Sequence, residues 1–333
     1  MAQIVRATRD PALSARVVTR TALRYALGAD AGEDRPAHVR AGSGIAWLAG
    51  RLAIVQDDAA FVALVDPSTK VVEPVPLPRG PSGARQFDDL RGNKAEKLDL
   101  EACVTIDLDG ADALLAFGSG STPRRERVAV VRAPASGGIA DVRVLHVPSL
   151  YAMLRARRDF SGSELNVEGV VASSGLLWLV QRGNGEARDG LEPKNALGAL
   201  PLASVIALLS GASPLLELER VTEYDLGAIG GVPLTFTDAT SGPAGALLYL
   251  AAAEASPDAV RDGPVMGSGI GVISATRARQ AALSDTDGRP LLEKTEGVVL
   301  DPGDPTRAFV VIDPDDPARP CELCDVVLDG PWW

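Results

Sequence analysis

The chain has 333 residues, of which 46% are hydrophobic and 23% charged, and this composition excludes an intrinsically disordered chain. The formal net charge of -11 at pH 7 argues against nucleic-acid and anionic-membrane partners, because binding phosphate groups needs a concentrated basic surface. With 34 glycines, 24 prolines and 4% aromatic residues, the sequence predicts many tight turns around aliphatic cores, which favours an all-β fold.

The first residues predict neither export nor membrane insertion. Residues 1–11 contain Arg6 and Arg9 but neither the apolar core nor the small-residue cleavage site of a signal peptide. No segment reaches the ~18 continuous apolar residues of a membrane-spanning helix. Three cysteines are too few for a disulfide framework. We therefore expect a cytoplasmic protein.

A short acidic strand motif recurs along the chain. It reads Leu-Glu-Ala-Cys-Val at 100–104, Val-Glu-Gly-Val-Val at 167–171, Thr-Asp-Ala-Thr at 237–240 and Thr-Glu-Gly-Val-Val at 295–299, with a weaker, acid-free copy at 43–47. A turn and a second apolar run follow each copy, which is the rhythm of a β-hairpin. Two further apolar runs follow in each of the first two repeats. Four strands per repeat is the number in a propeller blade.

The repeat spacing predicts a single β-propeller of five blades, with six as the alternative. The predicted blades are residues 42–99, 100–165, 166–234, 235–293 and 294–333. The last has room for only three strands, so we expect residues 17–27, in an entry segment 17–41, to supply the fourth and close the ring. A β-sandwich or two small β domains would also give short strands. Those folds do not predict an acid at the same position of each repeat.

Two segments interrupt the strand pattern. Residues 149–158 predict a helix between two blades, and residues 192–209 predict an irregular insertion with a strand near Val205. The insertion is the expected contact element if the protein has a protein partner.

The motif acids are expected to meet at one mouth of the channel, since inner strands begin, and second strands end, on the same face. They would form an incomplete carboxylate ring, because Gly44 takes the acid's position in the first copy. Such a ring needs a cation, and Ca²⁺ suits it better than Mg²⁺ or Mn²⁺ because it accepts six to eight oxygens in flexible geometry. The predicted metal ligands are Glu101, Glu168, Asp238 and Glu296.

Polar residues near the same mouth are expected to bind a small polar or anionic ligand. These candidates are Lys97, Arg182, Asn184, Glu254, Lys294 and Asp313. The lysines and the arginine are also the alternative source of positive charge for the ring. The competing interpretation is that each acid is a solvated turn residue or a cap for backbone N–H groups, and that axial polar residues only order channel water.

Other motifs predict no chemistry. Cys321 and Cys324 have C-x-x-C spacing but lack further zinc ligands, so they are interpreted as two reduced thiols. His38 and His146 are not expected near a serine nucleophile. The glycine-rich residues 118–122 lack the ending of a phosphate-binding loop.

The copies at Glu101, Glu168 and Glu296 resemble the recurrent motif of phytase-like propellers, a group that includes the esterase-like-activity-of-phytase family and the SdiA-regulated proteins. The resemblance spans residues 42–313 through short motifs, with Asp238 a looser match. It implies a five- or six-bladed propeller with a Ca²⁺ site at the channel mouth. For some members it also implies hydrolysis of phosphate or ester substrates.

Three functions follow as hypotheses. The first is a propeller that binds a divalent cation and a small ligand. The second is a metal-assisted phosphoester or ester hydrolase, in which Lys97, Arg182 or Lys294 holds an anion. The third is a platform for protein interaction.

Overall fold

The strands of the chain fall into repeated antiparallel units, and two N-terminal strands precede the first of them. The computed structural model describes residues 4–134, 138–255, 263–275 and 277–333. The N-terminal strands are β1 (Ile4–Arg9) and β2 (Ser14–Ala22). The described residues are mostly in strands, and the expected all-β fold is confirmed.

The first two units are four-stranded antiparallel sheets whose strands follow chain order. The first contains β3 (Gly42–Leu48), β4 (Arg51–Gln56), β5 (Phe61–Val65) and β6 (Val72–Pro76). The second contains β7 (Leu100–Leu108), β8 (Ala111–Gly118), β9 (Arg127–Ala133) and β10 (Asp141–His146).

Two-residue turns join the first two strands of each of these units. Ala49 and Gly50 have φ of 48° and 76°, and Asp109 and Gly110 have φ of 57° and 75°. Positive φ at both central residues is the pattern of the type I′ turn, whose twist matches that of the flanking strands.

The third unit follows two short helices, α1 (Pro148–Ala156) and α2 (Arg158–Ser161). Its strands are β11 (Val167–Ser173), β12 (Leu176–Gln181), β13 (Asn195–Pro201) and β14 (Arg220–Asp225), with helix α3 (Leu202–Leu209) after β13. The predicted helix at 149–158 is confirmed by α1, which begins with Pro148 at its first position and buries Leu150, Tyr151 and Leu154. No helix in the described part of the chain is long and apolar enough to cross a membrane.

The predicted insertion at 192–209 was wrong. Strand β13 pairs with both β12 and β14, so it is an interior strand of the third unit. Val205 lies buried in α3 and not in a strand. Pro201 ends the strand and the helix begins at the next residue, so strand and helix follow each other without a connecting loop.

The fourth and fifth units lie after a small hairpin of β15 (Ala228–Ile229) and β16 (Val232–Pro233). The fourth contains β17 (Thr235–Ser241), β18 (Leu247–Glu254), β19 (Val265–Ser274) and β20 (Arg277–Ser284). The fifth contains β21 (Lys294–Asp301), β22 (Asp304–Asp313) and β23 (Glu322–Asp329).

The N-terminal strands bind the outer edges of the later units. Strand β2 pairs antiparallel with β23, from Ser14 opposite Asp329 to Ala22 opposite Glu322, and so stands fourth in the fifth unit. The predicted strand at 17–27 overlaps β2. Strand β1 runs parallel to β14 along one half and to β20 along the other. The third, fourth and fifth units are thereby joined into one hydrogen-bonded 13-stranded sheet.

The first strands of the units surround a common axis. Strand β3 contacts β7, β7 contacts β11, β11 contacts β17, β17 contacts β21, and β21 contacts β3. Glycine permits the closest approaches: a Cβ on Gly297 would lie 2.3 Å from the Ser43 carbonyl oxygen, and one on Gly44 would lie 2.8 Å from the Cys103 nitrogen. The arrangement is propeller-like.

The apolar core lies between neighbouring units and not along the axis. Leu64 of the first unit and Leu114 of the second belong to one buried cluster. Val311 of the fifth unit and Ile54 of the first belong to another. Because each pair of neighbouring units encloses its own apolar cluster, the axis is left to polar side chains.

Candidate functional site

A cavity of about 490 Å³ lies where the inner strands begin and the second strands end. Its described lining contains eleven acidic and six basic side chains. Eight of the ten predicted site residues line it: Lys97, Glu101, Glu168, Arg182, Asn184, Lys294, Glu296 and Asp313. The other two, Asp238 and Glu254, are buried away from this lining.

A β-bulge near the start of each inner strand positions the acids. The bulge residue is Glu101 in β7, Glu168 in β11 and Glu296 in β21, because the strand pairing skips one residue there. In β17 the skipped residue is Thr237, so Asp238 stands one position beyond the equivalent site. Motif spacing does not show which residue is the extra one in a bulge. In the fourth copy the residue equivalent to the three glutamates is Thr237, and the alignment that placed Asp238 there was wrong by one residue.

Asp238 bridges inner strands instead of facing the cavity. Its Oδ2 accepts a hydrogen bond of 2.8 Å from the Val298 backbone nitrogen in β21. A Cβ on Gly169 in β11 would lie 3.1 Å from its Oδ1. Burial raises the pKa of Asp238 well above its usual value, with Glu296 and Glu168 adding to the rise, so the carboxyl group is expected to be neutral.

The first of two charged clusters surrounds Lys97. The ammonium Nζ lies 2.7 Å from Asp57 Oδ2 and 2.6 Å from Asp99 Oδ1. Arg125 Nη1 lies 3.0 Å from Asp99 Oδ2, and the Ser119 hydroxyl donates to the same oxygen. Burial opposes ionisation of Asp99, but Lys97 and Arg125 outweigh it and hold its pKa below the usual value. Asp99 is therefore ionised.

Glu101 completes this cluster as a third carboxylate. Carboxylate oxygens of Asp57, Asp99 and Glu101 lie within 4.8 Å of one another, close enough to hold one metal ion. Burial raises the pKa of Glu101 well above its usual value, with Asp99 and Asp57 adding to the rise and Lys97 opposing it. In the described chain the cluster has three acids but two cations, Lys97 and Arg125.

The second cluster surrounds Arg182. Its Nη2 lies 2.6 Å from Glu254 Oε2, and its Nη1 lies 3.4 Å from Glu168 Oε1. Asn166 Nδ2 donates to Glu168 Oε1 at 2.6 Å and to Asn184 Oδ1 at 3.2 Å. Burial raises the pKa of Glu168, although Arg182 opposes the rise. Glu254, which was predicted to bind ligand, lies outside the cavity lining and forms an ion pair with Arg182.

Lys294 connects the second cluster to the fifth unit. Its Nζ lies 2.7 Å from Glu296 Oε1 and 3.9 Å from Glu254 Oε2. Burial raises the pKa of Glu296 to about 8, with Lys294 opposing and Glu168 adding to the rise. Glu296 Oε2 is buried without a hydrogen-bond partner among the described residues. Burial, with Asp315 nearby, also raises the pKa of Asp313 well above its usual value.

Several lining residues were missed by the sequence analysis. Asp99 and Asn166 each stand two positions before a bulge acid, as the predicted Lys294 does, so a search for polar residues at that offset would have found them. Arg40 gave no such signal. Its guanidinium pairs with Asp58 and, at 3.1 Å, with Asp88, and so ties the loop of residues 77–99 to the first unit.

The sequence matches a family of unknown function, DUF6929, over residues 38–328. The chain belongs to this family. No curated protein has a sequence that matches this DUF6929 member.

Solved structures similar to the DUF6929 chain carry several different activities. PQQ-bound aldose sugar dehydrogenase from Streptomyces coelicolor is 11% identical, with 96% of this chain and 99% of that chain covered and a TM-score of 0.46. Glutaminyl cyclase from Myxococcus xanthus is 10% identical, with 99% and 100% covered and a TM-score of 0.45. A gluconolactonase from Xanthomonas campestris is 15% identical, with 97% and 99% covered and a TM-score of 0.38. These activities are those of the similar proteins.

Proposed function

We propose that the units are five blades of one propeller, closed by the pairing of β2 with β23. The cyclic contacts of the inner strands support this proposal. The apolar cluster shared by the fifth and first units supports it too, because it leaves no open edge between them. The fifth blade would then contain β2 from the N-terminal part of the chain and β21 to β23 from its C-terminal part, and their hydrogen bonds would hold the ring closed.

We propose further that the cavity binds a divalent cation, with Ca²⁺ the expected ion, together with a small polar ligand. The observation that carries this proposal is the convergence of Asp57, Asp99 and Glu101 within 4.8 Å. Hard cations take carboxylate oxygens, and the flexible coordination of Ca²⁺ suits side chains that come from two different units. A bound cation would also offset the burial and the carboxylate repulsion that raise the pKa of Glu101.

The ligand expected beside the cation is neutral and carries hydroxyl or amide groups. Lys97, Arg182 and Lys294 are each paired with carboxylates, so an anion would have to break existing ion pairs. Asn184 and Glu296 Oε2, which has no hydrogen-bond partner among the described residues, offer hydrogen bonds without that cost.

Calorimetric titration tests the cation. CaCl₂ is titrated into protein that has been treated with a chelator and dialysed. We expect binding by the wild type, and loss of binding in Glu101→Gln and Asp99→Asn. Glu73→Gln, a carboxylate with 60% of its side chain exposed and paired with Arg51, is the matched control and should bind as the wild type does. Absence of binding by the wild type, or equal affinity in Glu101→Gln, would contradict the proposal.

Metal-assisted hydrolysis is the second candidate. It is favoured by the resemblance to phytase-like propellers and by Glu296, whose raised pKa of about 8 would let it donate a proton near neutral pH. A cation at Asp57, Asp99 and Glu101 would supply Lewis-acid polarisation of an ester or phosphoester. Turnover of aryl phosphate or aryl ester substrates that needs Ca²⁺ and is lost in Glu296→Gln would support this activity. Turnover unaffected by chelator and by that substitution would contradict it.

A further inference from the structure

We infer that Lys97 is a built-in competitor for the cation site, so that a divalent ion binds by exchange with its ammonium group. This inference rests on the proposed function of the cavity. It identifies which group a cation must displace, and it makes Lys97 the residue that sets the affinity.

The contacts of Lys97 are those of a cation already in place. Its Nζ lies 2.7 Å from one carboxylate, Asp57, and 2.6 Å from another, Asp99. These are two of the three acids that converge within 4.8 Å. A divalent ion would draw on the same two carboxylates, and two cations cannot share them closely because their mutual repulsion in this buried setting is large. Binding the ion therefore requires Lys97 to leave.

The cavity also contains acidic groups with which the Lys97 ammonium does not pair. Glu101 is the third acid of the cluster, and no hydrogen bond or ion pair is described for it. Glu296 lines the same cavity with 4% of its surface exposed, and its Oε2 has no hydrogen-bond partner among the described residues. A single charge on Lys97 satisfies two carboxylates. A double charge with six to eight coordination positions would engage more of them, directly or through water.

Lys97 lies in the loop of residues 77–99, between β6 and β7, so its displacement would not require a sheet to open. Lys97 follows one helical turn, Lys94–Glu96, and its backbone nitrogen donates to the Lys94 carbonyl at a long 3.3 Å. Arg40 anchors the same loop upstream at Asp88, at 3.1 Å. The displacement is therefore expected between Asp88 and the start of β7, at the rim of the cavity.

The test compares Ca²⁺ affinity in Lys97→Met with the wild type by calorimetry. Methionine keeps the apolar stem and removes the ammonium, so we expect affinity to rise at least about tenfold. Lys94→Met is the matched control: it removes the same charge from the same loop, but Lys94 pairs with exposed Asp89 and should change affinity less than about threefold. Lys97→Gln replaces Lys97→Met if methionine impairs folding. The double variant Lys97→Met/Glu101→Gln should bind no Ca²⁺, because it also lacks the third carboxylate of the site.

The outcomes separate this inference from the proposed function. Binding by the wild type with tighter binding by Lys97→Met supports both. Equal or weaker binding by Lys97→Met and Lys97→Gln overturns the exchange but leaves the cation site. If Lys97→Met binds Ca²⁺ and the wild type does not, the result supports competition between Lys97 and the ion, and it overturns Ca²⁺ binding as the function of the wild type. Binding by none of these proteins overturns both.

Discussion

Arg182 Nη2 lies 2.6 Å from Glu254 Oε2, and this pair joins the third unit to the fourth beside the axis. The side chains are 4% and 1% exposed, so the charges depend on each other and on Glu168 instead of on water. Losing Arg182 would leave Glu254 and Glu168 buried with less compensating positive charge, which is far more costly than losing a surface pair.

We therefore expect Arg182→Met to lower the free energy of unfolding by about 3–5 kcal/mol. Arg51→Met, which breaks a surface pair with half-exposed Glu73, should cost about 1 kcal/mol or less. Urea unfolding of both variants measures the difference. Equal stability of the two would show that the Arg182 pairs contribute no more than a surface contact.

Close approach of the inner strands predicts a severe effect of a single methyl group. In Gly297→Ala the new Cβ would lie 2.3 Å from the Ser43 backbone oxygen, and neither strand can yield without shifting the axis. We expect a loss of about 3 kcal/mol. Gly269→Ala is the control, because its Cβ would meet nothing closer than 3.5 Å. Equal melting temperatures of Gly297→Ala and Gly269→Ala would contradict the close approach of β21 to β3.

The buried acids predict that stability falls as pH rises. Burial raises the pKa of folded Glu296 to about 8, from 4.5 in the unfolded chain. Between these pH values the folded state holds a proton that the unfolded state has released, so the free energy of unfolding decreases with increasing pH. Asp238, whose pKa is also raised by burial, acts in the same direction.

Thermal unfolding in chelator at pH 5, 6.5 and 8 measures this slope. Glu296→Gln should flatten it, since the amide does not titrate, whereas Glu73→Gln should leave it unchanged. A wild-type protein that becomes more stable toward pH 8, or an unaltered slope in Glu296→Gln, would contradict the raised pKa.

The pairing of β2 with the fifth unit predicts a core role for Val17. This residue is fully buried among the apolar side chains of the fourth and fifth units. We expect Val17→Ala to lower the free energy of unfolding by about 2 kcal/mol. Val18, left unpaired at a bulge and partly exposed, gives the control variant Val18→Ala, with an expected loss below about 1 kcal/mol. Equal losses would mean that β2 is only loosely attached.

The sequence carried enough information for the strand rhythm and for three of the acids. Glu101, Glu168 and Glu296 share a position because each is the residue that the strand pairing skips near the start of its inner strand. Thr237 is the equivalent residue in β17, but it carries no charge, so the acidic motif indicated its neighbour Asp238. A bulge changes register by one residue, and motif spacing does not reveal that change.

The remaining lining residues depend on contacts that no local pattern records. Arg40 and Asp88 are 48 residues apart and meet only because a long loop folds back over the first unit. Asp57 is the residue after β4, and Asp99 is the residue before β7. Their convergence on Lys97 follows from the neighbouring positions of two units, which the sequence does not state directly.

The antiparallel pairing of β2 with β23 also has a consequence for biosynthesis. Arg20 in β2 and Glu322 in β23 are 302 residues apart. On a ribosome adding ~5–20 residues per second, β2 waits roughly 15–60 s for its partner to be made. The earlier units can form during that interval, while β2 keeps its apolar face in water. Synthesis of β23 is then the event that completes the fifth unit, and the waiting strand is where a chaperone would be needed.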